Sequence, residues 1–153
     1  MTIHRALALA VALAATFTLA AMPAAASHLP EHPKKHRVVY HLSEPGADKA
    51  RFVLGNIQNH ITGVKGWDHI EAIELVVHGP ALKTFVTASI DPQLKEMLAE
   101  LQGQGVAFGA CGNTMKAFGI TLEQLPKGAH HLPQGGVVRI MELVEQGYVY
   151  LRP

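Results

Sequence analysis

The chain holds one cysteine, Cys111, and that scarcity excludes an intramolecular disulfide. The domain must be held by an apolar core rather than by covalent staples. Net charge is nearly absent, +1 over 153 residues. Phosphate contacts need a basic surface, so nucleic acid is not expected as a partner. After the first 26 residues no apolar run is long enough to span a membrane. No repeat of fixed period occurs, and no glycine-rich phosphate loop follows the first strand candidate.

What is present begins with an export signal. Arg5 precedes an apolar run from Ala6 to Ala21, and Ala24-Ala25-Ala26 closes it as a small-residue cleavage site. The expected cut lies between Ala26 and Ser27, which places the mature protein in the periplasm or outside the cell. An uncleaved membrane anchor is the alternative. Cutting there removes Arg5 and leaves 12 basic residues against 12 acidic ones in about 127 residues. That length fits one domain with a real core. Residues 27–36 are rich in proline and charge and read as a flexible arm. His28, His32 and His36 recur every four residues, a metal stripe on a helix, but Pro30 and Pro33 oppose a helix. The folded domain is expected over 37–153.

Within it, strand and helix signals alternate. Val38–Leu42 reads as a strand. Ala50, Val53, Leu54, Ile57, Ile61 and Val64 fall three or four apart, the pattern of an amphipathic helix, which Gly63 or Gly66 ends. Ile70–Val77 is a strand with a near-continuous apolar finish, as expected where both faces are covered. The stretch 81–90 is ambiguous. Asp91-Pro92 opens a helix with apolar positions Leu94, Met97, Leu98 and Leu101, and Gly103 is a plausible stop. Val106, Phe108 and Ala110 form a short buried strand that breaks at Cys111-Gly112. Asn113 and Thr114 are capping types, and a helical turn follows to Phe118. A further turn over 120–125, a brief strand over 129–132, a helix over 134–145 and a last strand over 148–151 complete the chain. The 134–145 helix is expected to turn Val137, Ile140, Met141 and Val144 inward. Such alternation predicts an α/β domain of three layers, a mostly parallel sheet with helices on both faces.

Ligands of open parallel sheets bind beyond the carboxyl ends of the strands. Three strand candidates end there in useful chemistry: His41 with Ser43, then His78, then Cys111. A cysteine between a strand end and a helix start faces outward-pointing N–H groups, which favour the thiolate. His78 is placed to take the thiol's proton, or alternatively to close the Gly79-Pro80 turn. His41 reads as a half-buried strand residue, and His60 and His69 as surface residues. No third orienting residue is identifiable from spacing. Cys111 itself has a second reading, as a small buried apolar side chain.

Three segments together resemble the DsrE/DsrF-like family of sulfur-relay proteins. They are Val76-Val77-His78-Gly79-Pro80, Ala110-Cys111-Gly112-Asn113-Thr114-Met115, and Gly136-Val137-Val138-Arg139-Ile140 with Gln146-Gly147-Tyr148. The match runs from about Arg37 to Pro153. The resemblance implies a five-stranded parallel sheet and assembly into trimers or hexamers. It puts Cys111 where relay members carry a persulfide, with His78, Asn56, Gly79, Asn113 and Thr114 around the bound sulfur donor. The export signal and the histidine-rich arm depart from the family pattern.

Three functions follow as expectations. The first is a periplasmic sulfur carrier or sulfurtransferase-like protein that needs no cofactor and works with a sulfur donor or acceptor protein. The second is a copper- or zinc-binding module drawing on His41, His78, Cys111 and His131. The third is a non-catalytic oligomeric binding protein in which Cys111 is merely buried.

Overall fold

A computed structural model describes residues 35–153. The expected export signal (1–26) and residues 27–34 of the arm lie outside the described residues. The first strand, β1, runs from His36 to Leu42, so its first residue is one assigned above to the arm. It leads into α1 (Ala47–Gly63), whose buried residues Ala50, Val53, Leu54, Ile57 and Ile61 are five of the six apolar positions read from the sequence; the sixth, Val64, is the C-cap and only half-buried. The helix stops at Gly63, and the chain turns through Lys65 and Gly66, both at positive φ.

β2 spans Ile70–Val77 as expected. The ambiguous stretch resolves as a 3-10 helix over Gly79–Phe85 that buries Ala81, Leu82 and Phe85. Asp91 caps α2 (Pro92–Gln104) by accepting the Leu94 N–H at 2.9 Å, a cap of about 1 kcal/mol. The helix runs through Gly103 and ends at Gly105, which takes the left-handed conformation (φ 112°) that C-terminal caps require. A side chain there would also collide with Trp67, 2.8 Å away.

β3 (Ala107–Cys111) passes directly into α3 (Gly112–Phe118). The cap of α3 is Cys111 itself, and Asn113 and Thr114 stand inside its first turn rather than before it. A 3-10 turn at Leu122–Gln124, closed by a Thr121 capping box, leads to β4 (Ala129–Leu132). α4 (Gly136–Glu145) and β5 (Val149–Leu151) finish the chain.

All four strand pairings are parallel, in the order β4-β3-β2-β1-β5. The first three crossovers step one way across the sheet, and the last returns past β1 to its far side. Parallel crossovers are right-handed, so reversing the step sends α4 to the opposite face from α1 and α2. The result is the three-layer α/β domain expected from the alternation. Val38, Tyr40, Leu42, Ile73, Leu75, Val77, Phe108 and Ala110 turn toward α1, α2 and the Gly79–Phe85 turn. The α4 face has a smaller cluster, Val39, Val76, Leu132 and Leu143.

The inward face of α4 differs from expectation. Gly136 and Leu143 are its buried residues, and Ile140 packs only partly. Val137, Met141 and Val144 are 68%, 52% and 45% exposed. The helix is amphipathic, with Arg139, Glu142 and Glu145 three apart on one side, but its apolar arc is wider than the strip that meets the sheet, so most of that arc stays exposed.

Candidate functional site

Strand register sets the site. Leu42 pairs with Val77, Val77 with Ala110, and Ala110 with His131. The next residues along, His78 after β2 and Cys111 at the end of β3, therefore stand side by side at the carboxyl edge. Adjacent strands lie about 4.8 Å apart. Side chains alternate between faces, so His41, His78 and Cys111 all point to the α4 side, with Val39, Val76 and Gly109.

Cys111 is 5% exposed and unpaired. Burial pushes its thiol up, yet the Thr114 hydroxyl and the N–H groups of Gly136, Thr114 and Asn113 outweigh burial and bring it below the ordinary thiol range. Thr114 occupies a double role. Its Oγ1 accepts the Gly79 N–H at 2.8 Å, which leaves its own hydrogen to donate to the sulfur. The sulfur meets the first turns of two helices, α3 and α4, and both dipoles favour a negative charge there.

Glycine makes this crowding feasible. A Cβ on Gly136 would stand 3.1 Å from the His78 Cβ and 3.3 Å from the Cys111 Cβ. Gly135, at φ 90°, would meet the Asn113 amide at 2.6 Å. The pocket over the thiol has a volume of about 220 Å³. Its polar walls are His78, Asn113, Thr114 and Gln134, and Val137 and Val138 form its apolar side.

His78 belongs to a second chain of contacts. Its Nε2 lies 2.6 Å from Nε2 of His41, and the two rings stack at 20°. Nδ1 of His41 lies 2.7 Å from the Tyr150 hydroxyl. One hydrogen fits between the two Nε2 atoms, so one ring donates and the other accepts. Both imidazoles are held toward the neutral form. Burial lowers His41 to about 4, assisted by His78 and the Arg152 cation and opposed by Glu44. Burial and Arg152 lower His78 as well, against Glu44. His78 is not among the groups that lower the thiol. Its ring is oriented by His41, the partner that sequence spacing did not identify.

The remaining expected residues divide. Asn113 and Thr114 stand at the thiol, and Gly79 is joined to the site only through its N–H on the Thr114 hydroxyl. Asn56 does not line the pocket; it lies on α1 and donates to the Phe52 carbonyl of its own helix. His131 is exposed on the far face of β4, with Nε2 where a Cβ on Gly112 would fall. Among the described residues no group of three or more His, Cys, Asp or Glu side chains is placed to hold a metal ion. His60, expected at the surface, is half-buried against the Tyr40 hydroxyl at 3.0 Å. Gly136 and Gln134 carry parts of the site that their residue types did not announce. The Gly135-Gly136 pair before a helix was the available signal.

The chain is thus a small α/β protein with a five-stranded parallel sheet and a cysteine where β3 runs into a helix. The model of the DsrE/DsrF-like family matches residues 7–153, and the chain belongs to that family. Its fold is similar to that of MTH1491, a protein of unknown function from Methanobacterium thermoautotrophicum. The TM-score is 0.68 at 28% identity, covering 78% of this chain and all of that one. It is also similar to the YchN protein of E. coli (TM-score 0.58, 15% identity), over 78% of this chain and 99% of that one. A conserved protein of unknown function from Bacteroides thetaiotaomicron, BT1422, shares the fold at TM-score 0.54 and 17% identity, over 76% and 94% of the two chains. No curated protein matches the sequence.

Proposed function

We propose that this protein is an exported sulfur carrier that holds a persulfide on Cys111. The observation that carries this reading is the thiol's setting: a buried sulfur, lowered in pKa by one hydroxyl and three backbone N–H groups, at the floor of a small pocket. That setting favours the thiolate, the form in which a cysteine acts as a nucleophile.

The step is an exchange at sulfur. The Cys111 thiolate attacks the outer sulfur of a donor persulfide R–S–SH. The new S–S bond forms at Cys111 and the S–S bond within the donor breaks, releasing R–S⁻. The Cys111 proton passes to the leaving thiolate through His78, so the products are Cys111–S–SH and R–SH, with no net oxidation. His41 and Tyr150 hold the His78 ring for this transfer. Transfer onward to an acceptor thiol is the same exchange run in the other direction.

Export of the mature chain after Ala26 and assembly into a homo-oligomer are part of the proposal. Val137, Met141, Val144 and Tyr150 leave apolar side chains exposed on the α4 side of the sheet, and Val137 also lines the pocket, which supports assembly there.

The test is intact mass and alkylation of protein purified without reductant, then loaded with a low-molecular-weight persulfide. The wild-type chain should gain one sulfur atom on Cys111, removable by reductant. Cys111→Ser should gain none while keeping its circular dichroism spectrum and melting temperature. Full loading of that variant, or failure of the wild type to load, overturns the reading.

A further inference from the structure

One buried charge takes no part in this chemistry. Glu74 is 4% exposed and sits in β2 among Ile73, Leu75, Val76 and Val77. Arg139, on α4, grips it as a fork: Nε lies 3.1 and 3.2 Å from the two carboxylate oxygens, and Nη2 lies 2.7 Å from Oε2. His130 Nε2 stands 3.2 Å from Oε1. The contact with His130 crosses β3 at Gly109, where a Cβ would lie 2.9 Å from Glu74 Oε1.

Stability alone does not account for such a group. Apolar residues of similar volume commonly hold a helix on a sheet as well as a buried ion pair does. A planar two-point grip fixes both position and rotation. Arg139 follows Gly136 by three residues, one helical turn. Glu74 precedes His78 by four residues on the same strand face. The pair thus ties the first turn of α4 to the strand that carries His78. That first turn has little room, because even a Cβ added at Gly136 would crowd the His78 and Cys111 side chains.

We propose that Glu74 and Arg139 are positioning residues that seat the Gly136 N–H against the Cys111 sulfur. This rests on Cys111 being the reacting group, and it assigns the ion pair a role in thiolate stabilisation that acts through α4.

The test is the pH dependence of Cys111 alkylation by iodoacetamide, which needs no sulfur donor. Glu74→Gln and Arg139→Gln should each raise the midpoint by roughly half to one pH unit, the reach of a helix-terminal contact. Arg139→Lys, which keeps the charge but loses the fork, should raise it less than Arg139→Gln. Leu143→Ala loosens α4 a further turn along and should leave the midpoint in place. If a single variant does not fold, Glu74→Gln/Arg139→Gln removes both charges and leaves neither unpaired. Unchanged midpoints in the folded variants overturn the inference, as does an equal rise in Leu143→Ala. Shifted midpoints in a protein that cannot be loaded with sulfur would retain this inference and remove the sulfur-carrier reading.

Discussion

Beneath α1 and α2 the sheet buries Leu54, Leu75, Phe85, Leu98 and Phe108 in one apolar cluster, whereas beneath α4 the buried cluster is Val39, Val76, Leu132 and Leu143. The first face is covered by two long helices and a 3-10 turn. The second carries His41, His78, Glu74, His130 and Cys111 under a ten-residue helix whose outer side is apolar. The difference teaches where stability and chemistry are kept. A dense face can hold the fold while the thin face gives up packing for polar groups and a pocket.

The most direct way to break this comparison is to cut one large side chain from each face. Phe108→Ala, which removes the ring packed 5.1 Å from Phe85, should cost about 3–5 kcal/mol in urea unfolding. Leu143→Ala should fall at the low end of core truncations, about 2 kcal/mol, because α4 has solvent on its outer side and can settle. Equal costs would show that the faces share the stability evenly. Thr114→Val comes next. It strips the acceptor from the Gly79 N–H and the donor from the sulfur, and should cost about 1–2 kcal/mol while raising the alkylation midpoint of Cys111.

Acid sharpens the comparison further. His41 in the folded chain titrates at about 4 against an ordinary 6.5. The folded state resists the proton, so the unfolded chain takes it first. Stability is therefore whole above pH 6.5 and declines as pH falls from 6.5 toward 4. His41→Gln should flatten that part of a denaturation-versus-pH curve; an unchanged slope would place the acid sensitivity elsewhere. Smallest is Val144→Ser on the outer side of α4. It should alter monomer stability by no more than about 0.5 kcal/mol and weaken self-association in sedimentation.

Much of the fold was legible because periodicity and punctuation agreed. Ile70–Val77 came through to the residue, the α1 series did so as far as Ile61, and Asp91-Pro92 marked the start of α2. The stop at Gly105 rather than Gly103 was not legible, since both are glycine and only the left-handed turn distinguishes them. Which side of α4 faces the sheet was hidden for a different reason. Its apolar arc is wider than the strip that packs on the sheet, and the choice was made by Gly136 fitting against Cys111 and by Arg139, on the charged side, reaching Glu74. At the site, Cys111 and His78 could be read from strand ends, because a parallel sheet aligns those ends. The His41–His78 contact could not, because it depends on register between strands 37 residues apart in sequence.

Gly109 leaves a final consequence. Strands two places apart are separated by about 10 Å, too far for most side chains to meet. With nothing but hydrogen on the middle strand, Glu74 and His130 pass over it and touch. The sheet is thus sewn twice, once by its backbone hydrogen bonds and once by a thread of side chains laid over the bare spot. A methyl group at position 109 would press on Glu74, Leu132 and His130 at once, so a single added carbon would push that second seam aside where it crosses β3.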